Sequence, residues 1–284
     1  MTSTVPTASA SASGSAEQLS HRRLLMCSAK YFRIDYEINP YMHTDVQPDP
    51  AAAVAEHDRI VAAHLAAGRT VEFVEADPMC PDMTYTANAA VVRGDRAVLA
   101  TLPPERAPET PHYRAWLEAN GFDVTDTPYA FSGQGDALAC GDLLLAAHGR
   151  RTDARVHRVL ARHLGYEVVG LRTTSARWYD LDLAVAVIRP GRTLAYNPEA
   201  LDQPSLRTLR GLGLELIPVR PAEAARFALN LVSDGRTVTM TAGAPHLAAD
   251  LRAQGLAVVE LDTTELRKGG GGIRCTALTL DNPA

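Results

Sequence analysis

Short apolar runs broken by glycine turns restrict what this chain can fold into more than any other feature. "AAVVRGDRAVLA" (89–100) alternates strand-like on both sides of Gly94-Asp95, and "DALACGDLLLAAHG" (136–149) repeats the pattern around a second Gly-Asp pair. Such pairs favour tight hairpin turns, because glycine and aspartate accept the left-handed backbone those turns need. "LDLAVAVIRPGRTLAYNP" (181–198) and "ARFALNLVSDGRTVTM" (225–240), the latter turning at Asp234-Gly235, read as two further hairpins. Helical patterns separate them. In 51–68, Val54, His57, Ile60, Val61 and Leu65 share one helical face and Gly68 marks the stop. Shorter helices are expected at 113–122, 153–164, 204–211 and 244–255, and single strands such as "TVEFVEA" (70–76), "LELIPV" (214–219) and "AVVELD" (257–262) follow helices. The unit of hairpin, helix and strand recurs roughly every 40–60 residues, about five times, without a sequence repeat. A closed ring of small mixed α/β modules fits this order better than a doubly wound sheet, and no Gly-x-Gly-x-x-Gly follows a strand to support a dinucleotide site.

Composition narrows the function classes. The 284 residues carry a formal charge of −5 with 46% hydrophobic and 21% charged residues, an ordinary globular balance. No basic stripe suggests nucleic acid, and no apolar run approaches the ~18–20 residues that span a bilayer. Residues 1–20, "MTSTVPTASASASGSAEQLS", lack large apolar side chains and are expected to be a disordered leader before one domain at 21–284. The four cysteines, Cys27, Cys80, Cys140 and Cys275, are far apart with no Cys-x-x-Cys, which predicts reduced thiols and a cytoplasmic protein. The histidines show no metal-ligand spacing, so no metal is expected.

The chain closes on "RKGGGGIRCTALTL" (267–280), four glycines delivering one thiol to an alternating run. Open glycine backbone and nearby Lys268 and Arg274 favour a thiolate at Cys275. The competing reading is a buried cysteine at the start of a strand, the usual fate of an unpaired one.

This block resembles the nucleophile motif of the pentein, or guanidino-group-modifying, superfamily of arginine deiminases, dimethylargininases, arginine dihydrolases and amidinotransferases. Further blocks resemble it in order: "MCSAKYFRIDYEINPYM" (26–42), "CPDMTYTANAAVV" (80–92), "SGQGDALACGD" (132–142), "RRTDARVH" (150–157), "ARWYDLDLAVAV" (176–187) and "LNLVSDGRTV" (229–238). The resemblance implies an α/β fold, a five-bladed propeller of ββαβ modules, with no cofactor, a small-molecule substrate and no nucleic-acid or membrane partner; a homodimer is left open. It also implies a reaction in which Cys275 attacks a guanidinium carbon, an amine leaves and water resolves the adduct.

Carried over residue by residue, the resemblance implies Cys275 as nucleophile, Asp180 where relatives have the catalytic histidine, and Asp82, Asn88, Gln134, Arg151 and Asp182 as substrate-binding residues. Two of these depart in charge. Trp178-Tyr179-Asp180-Leu181-Asp182 stands where Phe-Tyr-His-Leu-Asp is usual, and Gly133-Gln134-Gly135-Asp136 where a glutamate is usual. Asn88 stands where deiminases have aspartate and dihydrolase-like relatives resemble this chain. An aspartate near ~3.9 cannot simply copy a histidine near ~6.5. The expectation is therefore a Cys275-dependent C–N hydrolase with an altered substrate or reaction. The alternatives are a conventional dimethylargininase or arginine hydrolase taking its acid from elsewhere, His148 being the candidate, or a binding protein without catalysis. Arg106, Asn230 and Ser233-Asp234 are weaker candidates, the last three residues reading as turn structure.

Overall fold

The computed structural model describes residues 21–282. Five three-stranded sheets divide them. In four of these, two strands joined by a hairpin precede a helix, and a third strand returns parallel to the second. The first complete unit is β3 (Ala90–Arg93), β4 (Arg96–Leu99), α2 (Thr110–Ala119) and β5 (Asp123–Thr125). The next is β6 (Ala137–Cys140), β7 (Leu143–Ala147), α3 (Val156–Leu164) and β8 (Glu167–Leu171). Then come β9 (Val185–Arg189), β10 (Thr193–Tyr196), α4 (Gln203–Gly211) and β11 (Glu215–Pro218). After the short α5 (Pro221–Ala224), the fourth unit is β12 (Val232–Ser233), β13 (Thr237–Thr241), α6 (Pro245–Ala253) and β14 (Ala257–Leu261).

The fifth sheet joins the two ends of the described chain. β15 (Leu278–Thr279) pairs antiparallel with β1 (Arg23–Cys27), which runs parallel to β2 (Thr70–Val74) after α1 (Pro50–Ala66). A pairing of chain ends takes the place of the hairpin turn found in the other four sheets. This closes the five-bladed α/β propeller and leaves no first blade without a partner strand. The Arg22 amide donates to Asp281 Oδ2 at 2.9 Å and the Leu280 amide to the Arg23 carbonyl at 2.9 Å, fastening the seam.

Burial falls from the axis outward, and the sequence explains it. First strands are apolar on both faces: β3 is buried throughout, and β9 to its last residue. Third strands such as β5 and β14 carry only exposed and half-buried residues. The inner strands therefore meet other blades on both sides, while the outer ones face a helix on one side only. In the four hairpins the turn glycines Gly94, Gly141, Gly191 and Gly235 all have positive φ, between 59° and 85°, which only glycine adopts without strain.

Two segments differ from the sequence expectation. The fourth hairpin begins only at Val232, because residues 225–231 form turns that close with Phe227 at φ 67°. After Cys275 the strand begins only at Leu278, since Cys275 and Thr276 stay in a turn in which the Thr276 amide donates to the Gly272 carbonyl at 3.2 Å. No described helix is long and apolar enough to cross a membrane. The expected leader, residues 1–20, lies outside the described residues.

Candidate active site

Each blade must bring the chain in to the axis before its first strand can start, and the tight turns that do so sit at one end of the propeller. Thr86–Ala89 precedes β3, Gly133–Gly135 precedes β6, Leu181–Leu183 precedes β9, the turns around Asn230 precede β12, and Leu266–Gly269 with the glycine run precedes β15. The hairpin turns lie at the other end. Asn88, Gln134, Asn230, Cys275 and the pair Asp180 and Asp182 converge because they occupy equivalent entry points of the five blades.

At the centre, the Cys275 thiol donates to Asp182 Oδ2 at 3.2 Å, and Asn230 Nδ2 donates to Cys275 Sγ at 3.1 Å. Asn230 Oδ1 accepts the backbone amides of Arg274 and Cys275 at 3.0 and 3.2 Å, so a single amide side chain holds both the thiol and the loop that carries it. Asn230 sits in a turn as read, its amide donating to the Phe227 carbonyl at 3.0 Å, and its side chain in addition meets the thiol. Its flanking leucines bury it, and a buried amide takes whatever polar partners the core offers. Asp234 lies in the turn as read, its Oδ1 accepting the amides of Arg236 and Thr237 at 2.9 and 2.7 Å, whereas Ser233 ends β12 with its Oγ accepting the Gly235 amide at 3.2 Å.

Asp180 forms a second cluster. Ser132 Oγ donates to its Oδ1 at 2.8 Å, and Asn88 Nδ2 and Arg151 reach its Oδ2 at 3.1 and 3.5 Å. Arg151 lies 4.1 Å over the Tyr179 ring and donates to the Ile38 carbonyl at 3.1 Å, which ties this cluster to the loop after β1. The neighbouring Asp153 pairs with Arg155 at 2.6 Å and not with Arg151. Gly135 backs the cluster so closely that a Cβ there would lie 2.6 Å from Asp180 Oδ2 and 2.5 Å from Asn88 Nδ2. Ser132 opens the 132–142 block but had no role assigned to it; its place directly before Gly133 in the entry turn accounts for its position.

The remaining predicted residues are placed less openly. Gln134 Oε1 accepts from Arg274 Nη2 at 2.7 Å and from the Thr279 amide at 2.9 Å, and its Nε2 donates to the Thr279 carbonyl at 2.8 Å. All but one of its hydrogen-bonding sites are committed within the protein. Asp82 is buried, with Oδ1 lacking a protein partner and Oδ2 4.0 Å from Arg106. Arg106 itself forks onto Glu109, both contacts at 2.8 Å, and donates to Asn88 Oδ1 at 2.8 Å, so it braces Asn88 from behind. His148 packs edge-on against His157, ring centroids 5.6 Å apart, in the blade of β6, β7 and β8. Lys268 pairs with Glu265 at 2.7 Å, leaving Arg274 as the basic side chain beside the thiol.

Burial decides the electrostatics. It pushes Asp182 up to about 7, helped by the charge of Asp180 and opposed by the thiol hydrogen bond. Burial and then the Asp182 charge raise the Cys275 thiol well above its usual range. Asp82 rises to about 6, again through burial, with Arg106 opposing. The two aspartates of the Trp178–Asp182 block therefore differ. Asp180 is surrounded by donors and a cation, while Asp182 meets the thiol. Asp180 makes no hydrogen bond to Cys275; the side chain that does is Asp182. This arrangement can activate a thiol, carry one proton between sulfur and carboxylate near neutral pH, and hold polar groups on the Asp180 side.

Comparisons with known proteins identify the family. A family model for "N,N dimethylarginine dimethylhydrolase, eukaryotic" matches residues 30–280. The N(G),N(G)-dimethylarginine dimethylaminohydrolase of Mycobacterium tuberculosis is 38% identical over 260 residues, covering 91% of this chain and 86% of the relative. The bifunctional arginine dihydrolase/ornithine cyclodeaminase AgrE of Nostoc is 34% identical over 92% of this chain, which spans only 38% of that longer relative. Among solved structures, the product-bound N-terminal domain of ArgZ, a cyanobacterial arginine dihydrolase, superposes with a TM-score of 0.88 at 33% identity, covering 92% of this chain and 98% of that domain. A Pseudomonas aeruginosa dimethylarginine dimethylaminohydrolase complexed with citrulline shares the fold, with a TM-score of 0.75 at 18% identity over 91% of this chain and 98% of that one.

Proposed function

The chain belongs to the dimethylarginine dimethylaminohydrolase family of guanidino-modifying C–N hydrolases, and from that premise we propose that it works through a covalent Cys275 adduct on an arginine-derived or related guanidine, amidine or amide whose electrophile differs from that of its relatives. The observation that carries this reading is the Cys275 thiol donating to Asp182 at 3.2 Å with Asn230 at 3.1 Å on its other side.

The chemistry follows from that contact. The thiol proton passes to Asp182, and the thiolate adds to the central carbon of the substrate. Asp182 returns the proton to the departing amine, and the carbon–nitrogen bond breaks to leave a thiouronium on sulfur. Asp182, now ionised, takes a proton from water as the water oxygen adds to the same carbon. The carbon–sulfur bond then breaks, restoring the thiolate beside a protonated carboxyl, and the ureido product gives its remaining hydroxyl proton to the released amine or to solvent. An aspartate held near neutrality suits both proton transfers. Asp180, read in the place of the family histidine, serves this scheme through its charge, which keeps the proton on Asp182, and through its hold on Arg151.

The altered electrophile is supported by Gln134. It is neutral, and its oxygen is committed to Arg274 and Thr279, so one carboxylate fewer faces a cationic group. A less basic guanidine or an amidine fits that charge count better than arginine itself. The test has two parts. Intact-mass analysis after chloroacetamidine treatment should show one adduct, lost in Cys275→Ser; no reactive thiol near neutral pH would sink the covalent mechanism. Release of citrulline or ornithine from arginine or dimethylarginine should be slow relative to turnover of N-hydroxylated or N-acylated analogues. Equal or faster release of either product would restore the conventional activity.

A further inference from the structure

We propose that Arg274 is a positioning residue for the nucleophile, its buried guanidinium being the counter-charge that keeps one negative charge on the Cys275–Asp182 pair. A guanidinium stays protonated in a protein, and burying it without a negative partner is strongly unfavourable. Arg274 is 6% exposed, yet its hydrogen bonds all go to neutral acceptors: Ala277 O at 2.7 Å, Thr279 Oγ1 at 3.3 Å and Gln134 Oε1 at 2.7 Å. No carboxylate lies within 4.0 Å of it among the described residues.

The negative groups that act on it are Asp182 and Cys275. Arg274 and Asp182 line one small cavity in the propeller axis together with His21. The cavity has room for about one water, some 10 Å³, and Asp182 carries an Oδ1 without a protein partner. A thiol and a carboxyl in hydrogen-bond contact can hold two, one or no protons. Two would leave Arg274 uncompensated, and none would set two negative charges side by side. The single-proton state alone balances the guanidinium.

The other groups facing the pair cannot supply that balance. Asp180 already has Arg151 at 3.5 Å. Burial keeps the Tyr85 and Tyr179 hydroxyls neutral. It also pushes His21 down to about 3, so His21 adds no competing cation. Gln134, placed against Arg274, contributes no charge.

The proposal rests on Cys275 as the nucleophile, but its test needs no substrate, so turnover results leave it standing or falling by itself. Thiolate absorbance at 240 nm is followed against pH, with the Cys275→Ser spectrum subtracted. Arg274→Gln should move the midpoint up by at least one unit, which is about tenfold less thiolate at any pH below it. Arg274→Lys, which keeps the charge but not the fork, should stay near the wild type. Asp182→Asn, nearly the same shape, leaves Arg274 facing the thiol alone and should bring the midpoint below the ordinary thiol value of about 8.5. Circular dichroism checks that each variant is folded. Coincident midpoints in wild type and folded Arg274→Gln would overturn the proposal. If Arg274→Gln does not fold, a midpoint above the ordinary value in Asp182→Asn does so.

Discussion

Asp182 and Cys275 come from entry turns of two different blades and meet at 3.2 Å, the thiol donating to the carboxylate. No local sequence relation links residues 93 positions apart. The propeller brings them together because both blades start their first strands at the same end of the axis.

Asp182→Asn removes the proton carrier while keeping the shape. Turnover should fall by roughly 10²–10⁴, the usual range for a lost general acid–base. Alkylation of Cys275 should persist, so comparing the two rates separates proton transfer from thiol access. The same variant has a stability signature. The folded-state carboxyl titrates at about 7, above its ordinary 3.8, so the stability it contributes is full below about 4 and is lost as pH rises towards 7. Urea midpoints measured at pH 4 and pH 8 should differ less in Asp182→Asn than in the wild type.

Asn230→Ala deletes the donor to Sγ and the acceptor for the Arg274 and Cys275 amides. The buried Cys275 amide then loses its partner, at a cost of about 1–3 kcal/mol, while the Arg274 amide keeps the Asn230 carbonyl at 3.3 Å. Melting temperature should drop, and kcat should fall at least tenfold because the thiol loop loses its anchor. Unchanged kcat in the folded variant would contradict the placement of Asn230 in the site.

Gly135→Ala forces a methyl against Asp180 and Asn88, at 2.6 and 2.5 Å. The clash falls on two side chains that can move, so the fold should survive while the Asp180 cluster is displaced. A rise in KM or a fall in kcat of an order of magnitude, with circular dichroism unchanged, is the expected result.

His57, buried in α1, is pushed down to about 4 by desolvation. A depressed base contributes stability that is present above its ordinary 6.5 and lost as pH falls through 4. His57→Leu should therefore flatten the decline in urea midpoint between pH 6.5 and pH 4. An equal decline in both proteins would place the acid sensitivity elsewhere, for example at His64, which burial and Arg69 lower to about 3.

Much of this was legible without coordinates. Glycine turns between apolar alternations located the four hairpins, since positive φ and two-residue periodicity are local properties. The order of blocks pointed to the family, and the thiol stood where its motif placed it. Ser132 and the site role of Asn230 were not legible, because a serine or asparagine in an apolar stretch looks the same whether it closes a turn or meets a thiol. Gln134 was read towards substrate on motif position; the coordinates show its amide committed to Arg274 and Thr279.

By itself, the sequence determined the repeating module, the nucleophile loop and the charge changes at residues 134 and 180, all of which depend on residue type and short spacing. Only the tertiary structure decided which aspartate meets the thiol. Asp180 and Asp182 both belong to the entry turn of one strand, yet one side chain reaches Arg151, Ser132 and Asn88 while the other reaches Cys275 and the axis. That division comes from the neighbouring blades, which surround one carboxylate with donors and bury the other beside sulfur, and closure of the ring is what sets those blades in place.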